Sequence, residues 1–372
     1  MIYFDYAATS IKRREIFEDI LNNFNEYNAN PDSLHKLGRS ANKILEDSRQ
    51  KLSKVLNLSS KSIIFNSGAS EGNNTIIKHF NALGYRILCT RADHPSVLNT
   101  LDKLNANVEY IEICKDGRIN LTDLEKKLGE NNSQGFSYEK TLLILTLVNN
   151  ESGTVQDLDR ISQILKDREV WLHIDNVQGF GHMDFDFSRC DSMAISGHKI
   201  GGINGFGLLY LKDDIQNLIY GGQQEKQRRG GTSFVMGAYT MAKSYDKIVS
   251  ERPLVKEIKE GFIRDLKKNE IPFEINGTLE HSSDHILNLY FPFAKSDLLL
   301  TYLDMKGICA SAGSACSAGS LEESHVITAM YDKERAMNSI RFSFGFTNTM
   351  EDVKYTIKTI KELYDRKVGE ED

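Results

Sequence analysis

Short apolar and β-branched segments recur along the first part of the chain: SIIF (62–65), YRILCT (85–90), VEYIEI (108–113), TLLILTLV (141–148), VWLHID (170–175), SMAIS (192–196) and FGLLYL (206–211). Amphipathic stretches separate them, and the spacing predicts helices over Leu158 to Arg168 and through Thr75 to Phe80. This alternation predicts an α/β domain with a mainly parallel mixed sheet flanked by helices, and ligands at the carboxyl ends of the strands. After about residue 250 the pattern changes. A charged helix over Val255–Lys268, a strand over His285–Phe291, a run of small residues, a strand over Ser339–Phe344 and a terminal helix from Met350 predict a smaller α+β domain. We place the large domain at 15–250 and the small one at 1–14 plus 251–372, with Glu370–Asp372 as a frayed acidic tail.

At 372 residues the chain exceeds what one core usually serves, in keeping with two domains. The apolar runs, LLILTLV (142–148) among the longest, are far too short to cross a bilayer, and MIYFDYAATS lacks a signal peptide's apolar centre. A cytoplasmic protein without a membrane partner is expected. Five cysteines, at 89, 114, 190, 309 and 316, form an odd set with no CxxC pair, which argues against a disulfide framework and against a structural metal. The net charge of −6 and the short basic runs Lys12–Arg14 and Lys226–Arg229 give no footprint for nucleic acid. Small-molecule chemistry is the remaining class.

Ten of the eleven residues from Ala310 to Ser320 are Ala, Ser or Gly, and the eleventh is Cys316. So little bulk cannot pack into a core, so the stretch reads as a mobile loop carrying one thiol between a buried site and an outside partner, or as a linker with an incidental cysteine. In SGHK (196–199) a lysine follows a strand and precedes the glycine-rich GGINGFG, a place where an amine can bond an aldehyde cofactor. Taken by itself the segment is better read as an ordinary surface lysine in a loop. Asp175, ending its own strand, can pair with a protonated pyridine nitrogen or simply cap a helix, and Gln178 just beyond can donate to a ring oxygen. SGASEGNN (67–74) opens a helix whose free N–H groups suit a phosphate, with the Ser70 hydroxyl as a further donor or as a plain N-cap. His94 can stack on a ring and shuttle protons, or be structural. Asn150 can bond a ring oxygen or shape a turn. Arg341 alternates with Ile340 and Phe342 on a strand, which suits a guanidinium that clamps a carboxylate, or one merely exposed.

Taken together these residues fall into an ordered set: YFDYAATS, NPDSLHKLGR, SGASEGNN, HPSV, VNNESGTVQ, HIDNVQ, SGHKIGG, YGGQQE, GGTSF, SAGSACSAGS, SHV and SIRFSFGFTNT. The chain resembles the cysteine desulfurases, which belong to the class V aminotransferases of pyridoxal phosphate fold type I, and the similarity runs from residue 2 to about 353. The resemblance implies that Lys199 tethers the cofactor, Asp175 pairs with its ring nitrogen, His94 stacks on the ring, and Asn150 and Gln178 contact the ring oxygen. It also implies that Ala69, Ser70, Ser196 and His198 bind the phosphate, with Thr232 reaching in from the other subunit of a homodimer. Cys316 would accept sulfur from L-cysteine as a persulfide, Arg341 would hold the substrate carboxylate with Asn150 beside it, and His94 would manage protons at the substrate thiol. The SAGSACSAGS loop is similar to the long version of the branch that serves iron–sulfur cluster assembly and tRNA thiolation, so the expected partner is a sulfur-acceptor protein. Departures from the family pattern are Tyr6 for Asn, Ser70 for Thr, Ile203 and Asn204 for Pro-Lys, and Gly230 for Pro. Selenocysteine lysis or transamination on the same scaffold, and a non-enzymatic sulfur relay, are the alternatives; a relay needs neither Asp175 nor Lys199.

Overall fold

The computed structural model describes residues 1–129, 140–313 and 323–371. The chain opens on a two-residue strand, β1 (Ile2–Tyr3), and then builds a seven-stranded sheet from β2 (Ile63–Asn66), β3 (Arg86–Thr90), β4 (Val108–Ile111), β5 (Thr141–Thr146), β6 (Val170–Asp175), β7 (Ser192–Ser196) and β8 (Gly207–Leu211). The order across the sheet is β2-β8-β7-β6-β5-β3-β4. The pairs from β7 through β4 are parallel, while β8 runs antiparallel to both of its neighbours. As a result β2, β3, β5, β6 and β7 all end at one edge of the sheet.

The inner strands are apolar on both faces because helices cover both, as parallel sheets require. Leu143, Leu145, Leu172, Ile174, Met193 and Ile195 join one core, while Leu142, Ile144, Ile87 and Leu209 join a second core with Ile76, Ile77 and Phe80 of the helix Ala69–Ala82. Successive side chains on one strand thus feed opposite layers.

A third core gathers Phe4, Phe262, Leu289, Phe291, Ile340, Phe342, Phe344 and the terminal helix Met350–Glu371. Around it lie β9 (Glu274–Ile275), β10 (Ile286–Tyr290) and β12 (Ser339–Ser343) in one antiparallel sheet, while β11 (Ile308–Cys309) pairs with β1. The N-terminal segment is therefore stitched to the C-terminal part of the chain.

One expectation needs correction. The helix expected from Val255 begins at Val235 and runs unbroken to Lys268 with Pro253 inside it. Proline removes one N–H, but the flanking residues keep it helical by burying Met241 and Ile248 in one core and Val255, Ile258 and Phe262 in another. The terminal helix extends through Glu371. Among the described residues no helix is long and apolar enough to cross a membrane.

Candidate active site

The shared strand edge holds a cavity of about 270 Å³. Ala69 and Ser70 follow β2, His94 follows β3, Asn150 follows β5, Asp175 and Gln178 end β6, and Ser196, His198 and Lys199 end β7. Arg341 comes across from β12, and all ten line this one cavity. Of the remaining expected residues, Thr232 lies outside it, exposed beside Phe65, Ser67 and Phe234. Cys316 falls outside the described residues.

The phosphate end is built by close backbone approach. A Cβ on Gly207 would sit 2.3 Å from the Ile195 carbonyl oxygen and 2.6 Å from Gly68 Cα, so only glycine lets the turn after β2 lie against β8. Gly68, with φ of 139°, is the residue that precedes the helix Ala69–Ala82, and no side chain caps it. The plain serine cap is thereby set aside. The Ala69 N–H donates to Ser196 Oγ at 2.9 Å, and the Ser67 N–H donates to Glu71 Oε2 at 2.9 Å. Ser70, in the first helical turn, has no intrahelical acceptor for its own N–H and adds a hydroxyl.

Lys199 sits in the turn Gly197–Ile200 after β7, and Gly201 closes that turn with φ of 92°. Its ammonium donates to the Ala7 and Ala8 carbonyls at 2.7 and 2.8 Å. The Ala7 carbonyl also takes Gln178 Nε2 at 2.9 Å, so the N-terminal segment forms one wall of the site. Gln178 Oε1 accepts from the buried His285 Nε2 at 3.1 Å, and His285 stacks on His182 at 3.6 Å.

Asp175, 4% exposed, accepts from Asn73 Nδ2 at 2.8 Å and from the Val177 N–H at 3.2 Å. It therefore serves its own turn and still faces the cavity. His94 Nδ1 caps the helix Pro95–Lys103 by accepting the Ser96 N–H at 3.1 Å, which leaves Nε2 for the cavity. Burial lowers its affinity for a second proton, against the pull of Asp175 and with the repulsion of Lys199. His198 is brought to about 4 by burial, then by the charges of Lys199 and Lys12. Beneath His94, the Asp93 carboxylate ties β3 to β5 by accepting from the N–H groups of Thr90 and Thr146, and burial raises its pKa.

Asn150 is free to line the cavity because its neighbour Asn149 shapes the turn, accepting from the N–H groups of Glu151 and Ser152. Arg341 differs from the expected open fork: Nη1 donates to the Asn150 carbonyl and Nη2 to Asp5 Oδ1, both at 2.8 Å. Its Nε is buried without a protein partner. Tyr6 points away from the cavity, its hydroxyl 2.6 Å from Thr347 Oγ1 and its ring against Gly345, so this departure lies behind the site. Gly230 replaces proline where its N–H donates to the Ile219 carbonyl and where a Cβ would meet Gly221 Cα at 2.7 Å.

Several of these histidines are buried neutral: His173 is held at about 3, and His285 well below the usual 6.5, mainly by burial. An unfolded chain binds protons on them below about 6.5 that the folded chain refuses, so their contribution is complete above that pH and is lost on acidification. We expect the thermal midpoint to fall steadily from pH 7 to pH 5, each imidazole supplying up to about 1.4 kcal/mol per pH unit. Melting curves across that range check this, and a flat midpoint would contradict the buried, neutral assignment.

An amine, a carboxylate and an open helix N-terminus converging at the strand ends of a doubly covered sheet define a cavity for a phosphorylated, nitrogen-bearing ring aldehyde. The chain belongs to the class-V aminotransferase family, whose pattern matches residues 2–356. It is 36% identical to the IscS 1 protein of Bacillus subtilis over 98% of this chain and 99% of that one, and 33% identical to the cysteine desulfurase IscS of Dictyoglomus turgidum over 98% and 95%. A NifS-like protein from Rickettsia africae superposes with a TM-score of 0.87 at 30% identity, covering 98% of this chain and 99% of the other. Enzymes of this family depend on pyridoxal 5'-phosphate. The donor set fits that group: Ser70 and its helix for the phosphate, Asp175 for the ring nitrogen, Gln178 for the ring oxygen and Lys199 for the aldehyde.

Proposed function

We propose that this protein is a cysteine desulfurase that breaks the C–S bond of L-cysteine, forms a persulfide on Cys316 and releases L-alanine. The observation that carries the reading is the convergence of Lys199, Asp175 and the first turn of Ala69–Ala82 on one cavity, with Arg341 on its rim. When bound, the cofactor supplies an electron sink for the substrate's Cα. Lys199 would tether it and would take the Cα proton. Asp175 would keep the ring nitrogen's proton in place, His94 would pack on the ring and handle a proton at the substrate sulfur through Nε2, and Ala69, Ser70, Ser196 and His198 would form the phosphate end. The N–H hydrogens of Arg341 not taken by Asp5 and Asn150 hold the substrate carboxylate. The thiolate of Cys316 attacks the substrate sulfur, so an S–S bond replaces the C–S bond and the β-carbon is reduced to alanine's methyl as the two sulfurs are oxidised to the persulfide level.

Four described cysteines offer no rival acceptor. Cys89 and Cys190 are buried, Cys114 and Cys309 are more open, burial raises the thiol pKa of each, and none lines the cavity. We place the working unit in the cytoplasm as a homodimer in which Thr232 of the partner subunit completes the phosphate end. The exposure of Thr232, together with that of Tyr220, Phe234 and Leu34 at 69, 40 and 89%, supports such a face. The persulfide sulfur then passes to an acceptor protein of iron–sulfur assembly or tRNA thiolation. Incubation with L-cysteine and a reductant tests the reaction: alanine and sulfide are expected in equal amounts, and alanine absent, or pyruvate in its place, would reject it.

A further inference from the structure

Asn73 joins the two groups that flank the proposed ring, and nothing in the chain's motifs marks it for that role. It is fully buried, donating through Nδ2 to Asp175 Oδ2 at 2.8 Å and to Ser96 Oγ at 2.9 Å, with Oδ1 2.9 Å from His173 Nε2. The direction of every bond follows from the chemistry of the partners. An ionised carboxylate only accepts, so the amide nitrogen of Asn73 must face Asp175, and its oxygen must face His173. An amide oxygen only accepts, so the neutral His173 carries its proton on Nε2. Its Nδ1 is then the acceptor for Ser192 Oγ at 2.8 Å, and Ser192 Oγ in turn accepts from Trp171 Nε1 at 2.8 Å.

The same constraint propagates the other way. His94 Nδ1 accepts the Ser96 N–H at 3.1 Å and so carries no proton of its own; Ser96 Oγ, 2.9 Å away and itself accepting from Asn73, therefore turns its hydrogen toward that nitrogen. With Nδ1 an acceptor, neutral His94 carries its proton on Nε2, the nitrogen left to the cavity. We propose that Asn73 is a positioning residue that aims the Asp175 carboxylate at the ring nitrogen and, by donating to Ser96 Oγ, points that hydroxyl at His94 Nδ1, where it joins the Ser96 N–H in holding the Nε2–H tautomer. Trp171, Ser192 and His173 form a one-way chain of donors that prevents the Asn73 amide from flipping. This inference rests on the reading above for what Asp175 and His94 touch, but the tautomer itself needs no turnover to be seen.

The test uses the holoenzyme labelled with 15N-histidine, with His94 assigned by loss of its signals in His94→Gln. The wild type should show Nδ1 of His94 without a proton and Nε2 with one. Asn73→Leu, close in volume but unable to hydrogen bond, should show a displaced Nδ1 resonance at His94, a shifted cofactor absorbance band and a kcat lower by about 10- to 100-fold, with KM for L-cysteine changed far less. Ser96→Ala, which keeps the N–H on Nδ1 but loses the hydroxyl, should displace the His94 Nδ1 resonance while leaving the absorbance band in place, because it cuts only the His94 arm. His173→Leu should disturb both signals, and His173→Gln, which keeps an N–H for Asn73 Oδ1, should restore them. A wild-type His94 protonated on Nδ1, or Asn73→Leu and Ser96→Ala variants that both keep the wild-type His94 Nδ1 resonance, would overturn the proposal. If Asn73→Leu does not fold, the Ser96 and His173 variants decide. Normal tautomers in a wild type that makes no alanine would instead reject the desulfurase reading and leave this one standing.

Discussion

Lys199→Ala should lose alanine formation by about four orders of magnitude or more while the protein keeps its fold. The lysine is at once the tether and the base, and the cavity holds no second amine to form the tether: Arg341 is committed to Asp5 and Asn150, and a histidine such as His198 cannot make that bond. The rest of the cavity survives the substitution, since Asp175, Gln178 and Ser70 are positioned by Asn73, His285 and their own helix rather than by Lys199. The variant should therefore still bind pyridoxal 5'-phosphate, reversibly, and release it on dialysis. A small primary amine added to the buffer should recover a measurable part of the activity, which a folding defect would not allow. Turnover at the wild-type rate would show that the tether lies elsewhere.

Cys316→Ala should leave the cofactor's absorbance unchanged, abolish transfer of sulfur to any acceptor, and reduce alanine release by at least about a hundredfold even with reductant present. The reason is one of atoms: without a thiolate to form the S–S bond, the substrate's C–S bond has no partner to deliver its sulfur to. Cys89 and Cys190 are sealed in the sheet and under it, with the Cys190 thiol pushed up to about 12 by burial. Cys114→Ser and Cys309→Ser should keep activity close to that of the wild type, since neither lines the cavity. Labelled cysteine followed by mass spectrometry of the peptides checks all three variants. A persulfide found on Cys309 in an active Cys316→Ala enzyme would move the acceptor role there.

Much of the larger sheet was legible in the sequence because its strands are short, apolar and covered on both faces. VWLHID and SMAIS coincide with β6 and β7 to the residue, and TLLILTLV overruns β5 by two positions, where the chain leaves the sheet to turn through Asn149. Strand direction was not legible. The antiparallel course of β8 is set by its pairing with β7 and β2 and leaves no mark on FGLLYL. Nor was the continuity of Val235–Lys268, because Pro253 reads as a break when only local propensity is considered, whereas burial on either side holds the helix together.

The site divides the same way. Lys199, Asp175, His94 and Ser70 carry chemistry in their side chains and follow strands, so type and place together pick them out. Asp5 was missed, although it holds Arg341, because an aspartate near a chain terminus has no pattern of its own. The Ala7 and Ala8 carbonyls that receive Lys199 are backbone, and backbone atoms have no residue signature. Asn73 stands inside a recognised motif, but its role depends on His173 one hundred residues away, a separation that only the folded sheet closes.

The central claim is that this cavity holds pyridoxal 5'-phosphate covalently on Lys199. Reduction of the purified protein with borohydride, followed by proteolysis and mass mapping, tests it most directly. The account predicts one modified peptide, the one spanning SGHK, with the pyridoxyl group on Lys199; a modified lysine anywhere else, or none in protein that still produces alanine, would contradict it.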